Sequence, residues 1–413
     1  MFVSLRTRQD ASRLDVAVEY KLIWLPRVNG KYFSGAGCHV QARSSECRGS
    51  MRLKTESRTF HPMLRKSKLS VLGMLKRAGI FELVANSRWR QQRLLVLCYH
   101  GVSQKDEHLW RPSLYMPYTV LQRRLAILQE TDCAVLPLAE ALRRLRAGEL
   151  PARSVAITFD DGMYDFYKLA YPLLKGYGFP ATVYQTTYYT EHELPIFNLM
   201  CSYLLWNRRG EQLNAAQELG LIEPLDLRTE AGRHRVVRRL VDFSDRENLT
   251  GRQKNELATR LAAFLGIDYG CLCSQRILQL MNAQEVAEVG RNGVDVQLHT
   301  HRHRTPEDEV QFRLEIRENR ERIRALTGTE ARHFCYPSGI YQEQFFSWLE
   351  KENVLSATTC DVGLVNHHDP PFLLPRLVDT SFRTELEFES WLTGVGSLLA
   401  VRRAASQRYM PQD

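Results

Sequence analysis

The sequence predicts an α/β protein of about seven parallel strands with helices outside them and one helical insertion near residues 190–280. Three observations carry this. Short apolar runs alternate with stretches of helical periodicity, which implies parallel pairing with crossover helices. Several apolar runs stop abruptly at clustered polar residues, as buried strands do at a polar rim. Between them lies a segment about the size of a small domain with helical patterns only.

The elements follow in order. Residues 1–60 mix Gly, Ser and Arg without clear periodicity and are expected to be a poorly ordered extension. Residues 61–93 are a basic helical segment. Leu64, Leu69, Val71, Leu72, Leu75 and Ile80 interleave with Arg65, Lys66, Lys68, Lys76 and Arg77 over 63–84. A basic amphipathic helix fits an anionic membrane surface, and it fits the flank of the main domain equally in kind; packing on the flank is favoured. The main domain is placed at 94–386. Leu94–Gly101 reads as its first strand, ending in His100, and helices over 118–147 lead to the second strand at 155–159. A helix at 167–177, closed by Gly178-Phe179-Pro180, precedes the third strand at 181–186.

Helical patterns at 196–206, 236–243 and 254–265 fill the insertion. The rhythm resumes with a helix at 283–289, a strand at 294–299, a helix at 309–326, a strand at Phe334, a helix at 343–351 and a strand at 356–359. It ends on 373–378, with a C-terminal helix and tail at 387–413.

Composition limits the function classes. The 413 residues are 44% hydrophobic and 25% charged, which excludes a disordered or fibrous chain. No window offers the run of apolar residues a membrane span needs, and the N-terminus lacks a signal-peptide pattern. Nine scattered cysteines, an odd number, read as reduced thiols in a cytoplasmic-type compartment, with the inner-membrane periphery as the alternative location. Residues 1–93 hold 19 Lys+Arg against 6 Asp+Glu, whereas the remaining residues hold 37 against 41. The main domain is therefore not basic, and nucleic acid is not an expected partner. Oligomeric state is not legible.

Two stretches carry chemistry. Ser154-Val155-Ala156-Ile157-Thr158-Phe159 runs into Asp160-Asp161-Gly162, placing two adjacent acids at a strand end. Such a pair is tolerated in a half-buried place when a cation neutralises one acid or when their pKa values are pushed apart. An Asp-Gly surface turn is the plain alternative, and alone it would be preferred. The second stretch, Val294 to His303, changes the balance with His299, His301 and His303 at another strand end. Alternation puts all three imidazoles on one face; a turn after Thr300 instead brings His299 and His303 together. Imidazoles with a carboxylate are the donor set of a zinc-like ion that keeps a position open for water.

Thr158-Phe159-Asp160-Asp161-Gly162 followed by His299-Thr300-x-x-His303 resembles the first two signature motifs of the polysaccharide deacetylases, the NodB-homology carbohydrate esterases. The resemblance runs from about Leu94 to the last expected strand. It implies a distorted (β/α) barrel with catalytic groups at strand C-terminal ends. It also implies Asp160 as general base and Asp161, His299 and His303 as ligands of a divalent metal, zinc first, with cobalt, nickel or manganese as alternatives. The Tyr99-His100 pair is similar to that of the poly-N-acetylglucosamine deacetylases, which makes His100 the candidate acid. His333-Phe334-Cys335-Tyr336-Pro337-Ser338-Gly339 stands at the third motif, with Cys335 where the commonest form has an Arg. Tyr336, Pro337 and Gly339 would line the substrate groove, and a backbone N–H near Tyr336 would face the oxyanion. Arg376 joins that substrate group and is the candidate to replace the missing Arg. The family's usual Leu-x-His motif is absent.

The implied activity is removal of N-acetyl groups from amino sugars of a polysaccharide, an oligosaccharide or a lipid-linked glycan. Hydrolysis of another non-peptide C–N bond, and a glycan-binding relative without activity, stay open beside it. Retention of Asp160 argues against the pure binder.

Overall fold

A computed structural model describes residues 62–400, so the expected extension at 1–60 and the tail beyond Ala400 lie outside the described residues. Eight strands form one curled sheet, seven of them parallel, β1 (Arg93–Tyr99), β2 (Val155–Phe159), β3 (Thr182–Gln185), β4 (Asp295–Leu298), β5 (His333–Cys335), β6 (Ser356–Thr358) and β7 (Leu377–Val378), with the short Val365–Asn366 antiparallel to β1. The spatial order of the seven is β6-β5-β4-β3-β2-β1-β7, each strand beside its sequence neighbour except where β7 returns to β1. A parallel bridge from Thr358 to Leu374 links β6 to the segment entering β7, so the curl comes round on itself. The fold is thus the (β/α) barrel of the expectation in distorted form. Within 373–378 only the last two residues are regular strand, because Leu374 pairs with β6 while Leu377 pairs with Leu97 of β1.

The strands read as continuous apolar runs because both their faces are covered. Leu95, Leu97, Ile157, Val183, Val296 and Leu298 face outward into the main core against the helices. Leu94, Val96, Ala156, Tyr184 and Cys335 face inward, joined by Leu138, Leu142 and Leu145 of helix Leu138–Ala147. Period-2 alternation then decides what reaches the interior near the rim. Cys98, His100, Thr158 and Asp160 continue the inward set.

Other elements depart from the sequence reading in small ways. The helix expected over 63–84 is two helices, Pro62–Arg77 and Ile80–Ala85, broken at Gly79, which adopts φ 74°. Its inner side, with Leu72 and Phe81, packs with Val395 of the C-terminal helix Val395–Leu399. The helix after β2 begins with a π turn, Phe166–Ala170, before Tyr171–Tyr177. Gly101–Ser103 and Tyr115–Pro117 form an unexpected two-stranded parallel pair beside the barrel. Residues of the insertion surround a second core that includes Met200, Leu204, Leu240, Leu257 and Leu261. The insertion also holds a short antiparallel pair, Gln212–Leu213 with Leu225–Asp226, too brief to show a strand period. No helix among the described residues is long and apolar enough to cross a membrane.

Candidate active site

The two sequence stretches meet at one rim of the barrel. Asp160 and Asp161 follow β2, His299 follows β4, His100 follows β1, and Cys335 ends β5. Asp161 and Gly162 both take left-handed backbone conformations, φ 70° and 78°. Gly162 is required here, since a Cβ at that position would lie 2.0 Å from Gln185 Oε1. Asp161, bearing a side chain at φ 70°, holds a strained conformation of the kind concentrated at functional sites.

Thr300 and His303 are also left-handed, φ 61° and 54°, and the turn they make decides between the two imidazole arrangements. His299 and His303 come together with ring centroids 4.8 Å apart. Their Nε2 atoms stand 3.1 and 3.0 Å from Asp161 Oδ1. His301 turns away, its Nδ1 2.9 Å from Thr187 Oγ1 and its ring against Tyr188. His299 Nδ1 lies 2.9 Å from the Cys335 carbonyl oxygen, which accepts a hydrogen bond from Nδ1 and turns Nε2 toward Asp161. One oxygen and two imidazole nitrogens within 4.8 Å of one another suit a divalent cation with open positions. Burial opposes ionisation of Asp161, and the facing imidazoles of His303 and His299 outweigh it, holding the carboxyl below its usual range.

Asp160 is placed differently. Its carboxylate receives both arms of Arg376, Nη1 to Oδ1 and Nη2 to Oδ2, each at 2.8 Å, with both side chains buried. Burial would raise the Asp160 pKa; the guanidinium more than cancels this and keeps the carboxyl ionised. Arg376 is thus the guanidinium that steadies Asp160. It is fully buried and spends its remaining donors on Thr359 O, Thr158 Oγ1 and Cys335 Sγ, so it touches no groove surface and the substrate-binding expectation for it is corrected. Val378 pairs with inward-facing Cys98, so Arg376, two residues earlier, shares that inner face.

Two neighbours of Asp160 have no role assigned from the sequence: Cys98, which is not singled out there, and Cys335, noted only as standing in place of the third-motif Arg. The thiols of Cys98 and Cys335 donate to Asp160 Oδ2 at 3.5 and 3.4 Å. Two other donor sets, Cys98 with His100 and Asp160, and Asp160 with His299 and Cys335, are also compact enough for an ion. Both require a second cation beside Arg376, which disfavours them against the Asp161 set. His100 Nε2 lies 3.7 Å from Asp160 Oδ2. Burial pushes the His100 imidazole toward its neutral form, and the two aspartates partly offset this.

The third-motif turn is present, with Ser338 at φ 57° and Gly339 at φ 67°. Tyr336 is buried with its hydroxyl donated to Phe372 O, and Pro337 is buried beside it; of the three expected groove residues only Gly339 is partly open. The Tyr336 N–H itself donates to Thr358 O at 3.4 Å.

The motif loop is fastened from behind by helix Glu309–Thr327. Asn319 Oδ1 accepts from the His299 N–H, while its amide donates to Gln185 O and Thr187 Oγ1. One turn earlier, buried Glu315 accepts from the Arg302 N–H at 2.7 Å and from Arg302 and Arg304 side chains. The insertion also reaches the rim, since Met281 N–H donates to Gly162 O at 2.9 Å.

Known proteins share parts of this sequence and fold. The sequence profile of the polysaccharide deacetylase family matches residues 147–222 and 268–354, a span that contains Asp160, Asp161, His299 and His303. Over these two stretches the chain matches the polysaccharide deacetylase family. Its relatives include a Bacillus subtilis (strain 168) protein named as polysaccharide deacetylase YxkH, 34% identical over 93 residues, 22% of this chain and 31% of that protein. They also include the poly-beta-1,6-N-acetyl-D-glucosamine N-deacetylase of Escherichia coli K12, 28% identical over 100 residues, 24% of this chain and 15% of that one. The chain thus spans a third or less of either relative's length. Among solved structures, the Streptococcus pyogenes deacetylase PplD in complex with acetate superposes with TM-score 0.46 at 17% identity, covering 70% of this chain and 93% of its own.

Proposed function

We propose that this protein is a metal-dependent hydrolase that removes N-acetyl groups from amino sugars of a polysaccharide, an oligosaccharide or a lipid-linked glycan. The observation that carries the reading is the division of labour between two adjacent aspartates. Asp161 faces two imidazoles, whereas Asp160 faces a guanidinium. One carboxylate is thereby available to a cation and the other is kept charged as a proton acceptor. The E. coli relative's name supports an N-acetylglucosamine-type substrate.

Asp161, His299 and His303 would hold the metal, with zinc favoured by the two-imidazole, one-carboxylate donor set. Once bound, such a cation supplies Lewis acidity toward an acetyl carbonyl and lowers the pKa of water. Asp160, ionised beside Arg376, accepts the proton of the attacking water at Oδ2. His100 Nε2, 3.7 Å from that oxygen, is positioned to pass the proton on to the departing amine. Water oxygen bonds to the acetyl carbon, the C–N bond breaks, and the products are acetate and the free amino sugar. Cys98, Cys335 and Arg376 hold the acceptor carboxylate in place from the barrel interior.

The test is acetate release by the purified protein from N-acetylated chito-oligosaccharides, set against O-acetyl sugars and cyclic amides. N-acetyl substrates should dominate, a chelator should abolish turnover, and added zinc should restore it. Preference for cyclic amides would sink the sugar assignment. Metal analysis separates the ligands: His303→Ala should lose bound metal while His301→Ala keeps it, and the reverse would reassign the site.

A further inference from the structure

The helical layer at the two ends of the described chain carries surface that the active site does not use. We infer that the outward face of this layer, built on helices Pro62–Arg77, Ile80–Ala85, Arg88–Gln91, Glu385–Thr393 and Val395–Leu399, docks on an anionic lipid surface. Catalysis is not assumed in this inference.

A surface helix ordinarily turns its apolar residues one way, toward the core. Helix Pro62–Arg77 turns Leu72 inward, where it is 1% exposed, yet Val71 and Met74 on its other side are 41% and 58% exposed. The same layer exposes Leu83, Leu398 and Leu399, making five of the thirteen exposed large hydrophobics among the described residues. The concentration marks an interaction surface rather than scattered singles.

Charge chooses the occupant. Every acid of the layer is paired within the protein: Glu82 with Arg153, Glu385 with Arg123, Glu387 with Lys68 and Glu389 with Lys76. Lys66, Arg77 and Arg88 are exposed and make no salt bridge among the described residues. Lys66 and Arg77 bracket Val71 and Met74 along the helix. The chain outside the structure joins this layer at both ends, at Pro62 and at Ala400, and it is basic on both sides: 11 Lys+Arg against 5 Asp+Glu before it and 3 against 1 after it. Exposed apolar side chains flanked by unpaired cations match the interfacial boundary of an anionic bilayer, where long basic side chains reach headgroups and apolar ones enter the acyl margin. A second copy of this chain would bring the same cations face to face.

Co-sedimentation of the full chain with phosphatidylcholine vesicles, with and without about a third phosphatidylglycerol, tests this. Binding is expected only with the anionic lipid and should weaken with salt. At roughly 1 kcal/mol per basic residue, Lys66→Glu with Arg77→Glu and Arg88→Glu should lower affinity on the order of 100-fold or more. Met74→Ser with Leu83→Ser should weaken it further, with the thermal midpoint and active-site metal content unchanged in both variants. Equal binding to neutral vesicles overturns the inference. So does undiminished binding of the triple variant, which would assign the affinity to the flanking tails. Absence of vesicle binding together with a dimer dispersed by Met74→Ser and Leu83→Ser would give the face to a second copy instead.

Discussion

The catalytic proposal turns on one carboxylate whose charge the protein fixes. Asp160 is buried, and a buried lone carboxylate would take up a proton; bidentate pairing with Arg376 reverses that preference. Asp160→Asn should keep the fold and the metal while turnover falls on the order of 10²–10⁴-fold, because the amide cannot accept the water proton. Near-normal turnover would end its assignment as base. Arg376→Met is expected to be more damaging to the protein itself. It leaves a buried charge without a partner, at a cost of roughly 3–5 kcal/mol of stability, measurable by denaturant titration. Residual activity should show its acidic limb at higher pH, since the lost cation no longer depresses the Asp160 pKa; an unmoved limb would deny the coupling. Asp-Asp-Gly and the His triplet were legible because motif residues adjoin in sequence. The thiol partners of Asp160 were not. Cys98 meets it through the pairing of β1 with β2. Cys335, marked in the sequence only as standing in place of the motif Arg, reaches it from β5, which does not pair with β2.

At the scale of elements, the motif loop holds its left-handed turn because a helix grips it. Glu315 and Asn319, four residues apart on helix Glu309–Thr327, are buried polar groups on a face otherwise built from Phe312, Ile316 and Ile323. In sequence they sit among many Arg and Glu residues of an exposed-looking helix, so their inward direction was hidden by composition. The signal available was their phase with Phe312 and Ile323. Glu315→Ala should release Arg302 and Arg304 and loosen the turn that joins His299 to His303. Metal affinity should fall about 10- to 100-fold, as for other residues that orient ligands from behind. Competition with a chromogenic chelator measures it, and unchanged affinity with lowered thermal stability would make Glu315 a purely structural residue. The alternation of strands and helices was legible throughout, since each strand is covered on both faces and reads as an apolar run. The breaks were less so: Gly79 interrupts a continuous helical pattern, and Gly101–Ser103 is too short to show a period.

At the scale of the whole molecule, the basic segment before the first strand is tied into the barrel through a buried arginine. Arg90 is 0% exposed and has no carboxylate partner among the described residues; its guanidinium donates to Leu392 O, Arg93 O and Ser154 O. These carbonyls belong to helix Glu385–Thr393, the start of β1 and the residue before β2, so one side chain joins the helical layer at both ends of the described residues to two barrel strands. Burial brings its pKa down to about 10, still far above neutrality, and the cation persists inside the protein because oxygen atoms surround it. Arg90→Met should keep the volume while leaving those buried carbonyls without their donor. Hydrogen bonds from a charged group contribute about 1.5–3 kcal/mol each, and part of that is recovered by relaxation, so a loss on the order of 3 kcal/mol is expected. The loss should appear as a lower denaturant midpoint with metal content and the pH profile of turnover intact, because Arg90 lies far from the rim in the sheet register, at the opposite end of β1 from His100. A variant that unfolds no more readily than the parent would mean that the terminal layer is fastened by its apolar contacts around Leu72, Phe81 and Val395 alone.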